Sequence, residues 1–195
     1  MRRIFCSFLM IFILSACSQG GNITVADDEV ILPKNVEIPS MIFTSEKENS
    51  VIDEDEIKAS IKTYLDSDED LYNASYPFRE IIYEGQELNE GEIEKLDSMN
   101  KLIKENDENF SNYILNNTLP EGYQEEVERI SQYITTINEY HNELDKRIEN
   151  LNEGNLSMEN FNYLFSLPDN VNGREQEKIE TFLDKKNIET RAFGR

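Results

Sequence analysis

The sequence predicts an all-α protein: an antiparallel helical bundle of three long helices plus two shorter C-terminal helices, with an extended N-terminal arm. Three observations predict it. From residue 53 onward, apolar residues recur at steps of three and four, the spacing of one helix face. Polar capping residues open two of these segments, and glycine or proline separates them. The long segments run to about thirty residues each and are joined by short connections, which favours antiparallel neighbours.

The N-terminus reads as an address. Arg2 and Arg3 precede an apolar stretch over residues 4–14, shorter than the roughly 20 residues a spanning helix needs. Leu14-Ser15-Ala16-Cys17 closes it. This order resembles a bacterial lipobox. The resemblance implies a signal peptide over residues 1–16, cleavage before Cys17 and diacylglyceryl modification of its sulfur. A chain so anchored stays on the outer, extracytoplasmic face of a cell membrane, with the bilayer as its partner through acylated Cys17. Residues 17–52 then form a lipidated tether and extended arm, and residues 53–195 the bundle domain.

Composition excludes several activities. The chain carries 19 Lys and Arg against 40 Asp and Glu, a formal charge of −21, and loss of the leader removes two arginines and no acid. A field of that sign disfavours nucleic acid, which needs a basic footprint. It also repels anionic lipid, so the folded part is expected to stand off the membrane. Cys6 belongs to the leader and Cys17 to the lipid. No thiol remains for a disulfide, a thiolate metal site or a nucleophile. His141 is the one histidine, too few for a multi-histidine metal centre. No phosphate-binding Gly-x-x-x-x-Gly-Lys and no Gly-x-Gly-x-x-Gly occurs. No cofactor, no metal and no catalytic set is therefore expected.

Along the chain, residues 18–28 read as a tether. Apolar runs at residues 30–32 and 36–43 are broken by Pro33 and Pro39, which deny them a central strand. They read as an arm packing its Ile, Met and Phe onto the domain. Asp53 and Glu56 form a capping candidate before Ile57, Ile61, Leu65, Leu71, Phe78 and Ile82. Pro77 is expected to kink or interrupt this helix. Asn89 and Glu92 cap a second segment, with Leu96, Met99, Ile103, Phe110, Tyr113 and Ile114 on one face. The third carries Val127, Ile130, Ile134, Ile137, His141, Leu144, Ile148 and Leu151 in unbroken alternation of three and four. Gly154 reads as its cap. Two short helices, near residues 157–166 and 173–187, are expected to cover the bundle with Phe161, Leu164, Phe165, Ile179, Phe182 and Leu183.

Candidate site residues are those that break this logic. Asn106 stands where the second stripe calls for an apolar side chain, and His141 does the same on the third. Counting from a turn centred near Leu119 places Asn106 level with Tyr133 or Ile134. Asn106 reads either as a buried amide fixing helix register or as part of a small-ligand pocket. The acidic run at residues 66–70 fails the calcium-loop pattern, since Leu71 and Pro77 occupy its glycine and glutamate positions. Tyr123, Tyr133 and Tyr140 read as a partner surface or as core.

Asn106-Asp107-Glu108-Asn109-Phe110, together with the lipobox and the helical stretch, resembles small lipoproteins of Gram-positive bacteria that share an Asn-Asp-x-x-Phe motif. That resemblance implies a surface lipoprotein without an assigned activity. It marks Asn106, Asp107 and Phe110 as motif residues and transfers no catalytic role. The expected function is a binding or interaction module for a surface protein or small ligand. A carboxylate-based envelope hydrolase and a mobile-element exclusion or stress lipoprotein are the alternatives.

Overall fold

The computed structural model describes residues 33–194. The leader, Cys17 and the tether lie outside the described residues. Three long helices, α1 (Glu54–Tyr83), α2 (Glu90–Leu115) and α3 (Gln124–Asn152), pack as a bundle. Two shorter ones follow, α4 (Met158–Tyr163) and α5 (Gly173–Lys186). Cross-links run antiparallel between α1 and α2, where Tyr64 meets Asp107 and Arg79 meets Asn100.

Each helix begins where a side chain replaces a missing backbone partner. Asp53 Oδ1 accepts the Glu56 N–H at 2.9 Å, and Glu54, Asp55 and Glu56 fill the first turn of α1, where the helix dipole favours negative charge. Asn89 and Glu92 form a complete capping box on α2, with reciprocal bonds of 3.1 and 2.9 Å. Asn89→Ala is expected to cost about 1 kcal/mol, read as a shifted urea midpoint with unchanged slope; no shift would show the box to be idle. Asn172 caps α5, its Oδ1 accepting from Arg174 and Glu175, each at 3.0 Å. At the end of α3 the chain turns through Gly154 at φ +89°, a left-handed conformation that glycine adopts without strain.

Helix α1 runs through Pro77 without a break, against the expected interruption. Leu71, Phe78 and Ile82 are buried on either side, and that packing outweighs the roughly 3 kcal/mol a proline costs inside a helix. The α3 stripe also departs from its reading. Val127, Ile130 and Ile134 are buried, whereas Ile137, His141, Leu144, Ile148 and Leu151 are only half-buried. Further along α3 the most buried side chains are Tyr140 and Asp145. The later part of α1 runs beside this half of α3, with Tyr83 on Asp145 and Asn152 on the Ile82 carbonyl, but covers the stripe only in part.

The arm is extended and firmly held. Phe43 packs edge-on to Phe110 with ring centroids 5.2 Å apart. Val36 is buried, but Ile38 and Met41, expected to pack onto the domain, are exposed. Asn117 accepts the Ser50 N–H at 2.9 Å and donates to the Lys47 carbonyl at 2.8 Å. The Ile52 N–H reaches the Thr118 carbonyl at 2.9 Å. The arm is thereby pinned to the α2–α3 connection.

The core falls into two apolar clusters. One joins the arm, the early part of α1, the end of α2, the start of α3, and α5. The other joins the later part of α1 to the early part of α2. A belt of polar side chains lies between them.

Candidate functional site

That belt starts with the motif on α2. Asn106 is fully buried. Its Oδ1 accepts the Phe43 N–H at 2.8 Å, and its Nδ2 donates to the Tyr64 carbonyl at 3.2 Å. One amide thus binds the arm and α1 to α2. Asn109 Nδ2 donates to the Phe43 carbonyl at 3.0 Å, and Phe110 stacks on Tyr64 at 4.1 Å and 5°. Asp107 looks the other way. Its Oδ1 accepts the Tyr64 hydroxyl at 2.7 Å, and its Oδ2 accepts Asn138 Nδ2 at 3.2 Å.

Asn138 Nδ2 also donates to Asp68 Oδ1 at 2.8 Å, so one α3 amide bridges two buried carboxylates. Burial raises the Asp68 pKa to about 7, with the Asp107 charge adding to it and the Asn138 hydrogen bond opposing it. Burial likewise raises Asp107 to about 6, against the Tyr64 and Asn138 hydrogen bonds. Tyr64 is pushed up by burial and by both carboxylates. The Asp107–Asn138 contact sets α2 and α3 in register about one and a half turns away from the sequence reading. The connection is centred nearer Tyr123, because α3 starts only at Gln124.

Farther along, Arg79 is buried against Asp145, with Nε and Oδ2 3.3 Å apart. The N–H is not aimed at that oxygen, so the pair is ionic and neither atom gains a hydrogen bond. Arg79 Nη2 donates to Asn100 Oδ1 at 3.3 Å. Tyr83 donates to Asp145 Oδ1 at 2.9 Å. His141 is half-buried beside them, its ring 5.5 Å from that of Tyr72. Burial, and secondarily the Arg79 charge, lowers its pKa to about 4.

A groove of about 680 Å³ opens along the belt between α2 and α3. Arg79 and Asp107 are its buried charged walls. Asn100, Asn112, Asn138 and Asn142 supply amides, and Ile103 is the one apolar residue in the lining. The surface suits a polar ligand bearing hydrogen-bond donors and acceptors. Asp68 and His141 do not line it. Among the described residues, no group of three or more His, Cys, Asp or Glu is placed to hold a metal ion.

No protein-family model, curated protein or solved structure matches this chain. The geometry alone therefore bears on the site.

Several sequence expectations move. Tyr123, Tyr133 and Tyr140 are buried and form no surface. Tyr123 donates to Glu54 at 2.8 Å, Tyr133 lies against Gln176 and Phe193, and Tyr140 stacks on Tyr163 at 5.3 Å. They bury because α4, α5 and the C-terminal turn pack over that flank of α3. The acidic run holds the C-terminal segment: Asp66 accepts from Thr190 at 2.7 Å, and Asp70 takes Arg191 in two bonds of 2.7 and 2.9 Å. Sequence reasoning missed Asp68, Arg79 and Asn138. A signal for Asp68 existed, because the α1 stripe skips from Leu65 to Leu71 and position 68 is the missing inward step.

Proposed function

We propose that this chain is a lipid-anchored surface lipoprotein of the Asn-Asp-x-x-Phe type, and that its helical domain is a binding module with its ligand site in the α2–α3 groove. The leader and Cys17 support the anchor. Among the described residues no helix is long and apolar enough to cross a membrane, so attachment in this reading falls to the lipid. The observation that carries the binding reading is a polar groove walled by two oppositely charged, buried side chains, Arg79 and Asp107. Asp145 pairs Arg79, and Tyr64 and Asn138 hold Asp107, so both side chains are set in fixed positions on the groove wall, as the polar groups of a ligand site are.

Two measurements test the reading. Wild-type cells fed an alkyne fatty acid are expected to label this protein, and Cys17→Ser is expected to abolish the label; equal labelling removes the anchor. For the groove, the purified chain is warmed with a panel of amino acids, short peptides, sugars and polyol phosphates. At saturating concentration one class raises Tm by several degrees. Asn142→Trp, at an exposed lining position, plugs the groove and cancels the rise. A flat panel, or equal shifts in the plugged variant, removes the site.

The hydrolase alternative draws on the same place, since Asp107 with a pKa near 6 can act as a general base at neutral pH. It needs a second carboxylate facing the groove, which Glu108 or Glu139 would supply. Turnover by wild type and none by Asp107→Asn distinguishes it from simple binding.

A further inference from the structure

The segment around α4 turns a run of large apolar side chains outward. Its inward side carries Asn160, only 4% exposed, which accepts from Arg147 at 3.0 Å and donates to the Asn155 carbonyl at 3.1 Å. Its outward side carries Met158, Phe161 and Phe165, at helical spacings of three and four, and Phe165 is 84% exposed. Leu156 and Leu167 flank them, also exposed. Phe161 and Phe165 were expected to cover the bundle, and they do not: Asn160, Tyr163 and Leu164 take the inward positions. Large apolar side chains turned to solvent beside a buried asparagine depart from the apolar-in pattern that folding alone selects. Five large apolar side chains within twelve residues make a patch of the kind that marks an interaction site.

We propose that the outward face of α4 docks on a lipid bilayer surface. Charge selects this occupant. Residues 154–168 hold no Lys or Arg and a single acid, Glu159, in a chain of net −21. Glu159 is paired with Arg147 at 2.9 Å, a guanidinium it shares with Glu143. Elsewhere the acidic surface is pushed from an anionic bilayer, whereas this patch is not. Phe, Leu and Met flanked by Asn and Ser suit the boundary between acyl chains and headgroups, where shallow burial of a short amphipathic face suffices. The inference rests on the anchored-lipoprotein reading, which brings a bilayer within reach, and replaces the expectation that the whole folded part stands off.

The chain contains no tryptophan, so Phe165→Trp introduces a single reporter at an exposed position that the fold does not need. Leu115→Trp, 65% exposed at the C-terminal end of α2, outside the α4 patch, is the control. Both full-length proteins are mixed with vesicles of phosphatidylcholine and phosphatidylglycerol, with and without brominated acyl chains, and then floated. The expected result is flotation of both, a blue shift with at least twofold quenching by brominated lipid for Phe165→Trp, and no change for Leu115→Trp. Flotation without quenching of Phe165→Trp overturns the docking face and leaves the anchor standing. Absence of flotation and of any spectral change overturns both. A blue shift already present without vesicles, with sedimentation as a dimer, assigns the face to a second copy and overturns the bilayer.

Discussion

Asn106→Ala is expected to lower stability by about 3–5 kcal/mol. The buried Phe43 N–H loses its partner, which costs roughly 1–3 kcal/mol, and the Tyr64 carbonyl, already bonded within α1, loses a second hydrogen bond at about 1 kcal/mol. A cavity beside Phe110 adds to this. Asn106→Asp does not rescue it, since Asp keeps the acceptor for Phe43 but turns a second acceptor toward the Tyr64 carbonyl. The loss has a place as well as a size. The arm is tied to α2 by Asn106 and Asn109 and to the α2–α3 connection by Asn117. Proteolysis in the segment before Phe43 is therefore expected to precede global unfolding in the variant and not in the wild type. Urea titration reads the first effect and limited trypsin digestion the second. A loss under 1 kcal/mol would show the motif amide to be dispensable for packing and would shift its significance to the neighbouring Asp107.

Helix positions were legible because they follow from local chemistry. Asp53, Asn89 and Gly154 act where the chain places them, and apolar steps of three and four define α1 and α2 to within a turn. What was not legible depends on which faces find neighbours. The α3 stripe looks uniform, yet its second half is only partly covered, since the polar belt and the short α4 give it little apolar surface to meet. The tyrosines stayed open between surface and core because their burial comes from α4, α5 and the C-terminal turn, elements whose docking no periodicity encodes. Asn106 was visible as a break in the stripe, but its partners were not, because Phe43 and Tyr64 are 63 and 42 residues away. The groove was hidden for the same reason: it needs Arg79 from α1, Asp107 from α2 and Asn138 from α3 along one wall.

Asp68→Asn is expected to stabilise the fold by about 2–4 kcal/mol at pH 8 and to leave it nearly unchanged at pH 4. In the folded chain Asp68 holds its proton up to about pH 7, whereas an unfolded aspartate releases it near 3.9. Between those values the native state binds more protons, so its stability falls as pH rises through the window and levels off above it. Asp107, raised to about 6, adds to the same slope. His141 works against it. Its folded pKa of about 4 lies below the ordinary 6.5, so its contribution is lost as pH falls from about 6.5 to 4. Two carboxylates oppose one imidazole, and the wild-type curve should therefore decline toward neutrality. The Asn variant keeps an oxygen for the Asn138 amide while removing the desolvated charge, and so cancels the larger part of that decline. Urea denaturation at pH 4 and pH 8 measures the difference. An equal gain at both values would mean that shape rather than charge governs the belt, and a loss at pH 8 would mean that the Asp68 carboxylate is needed in its ionised form.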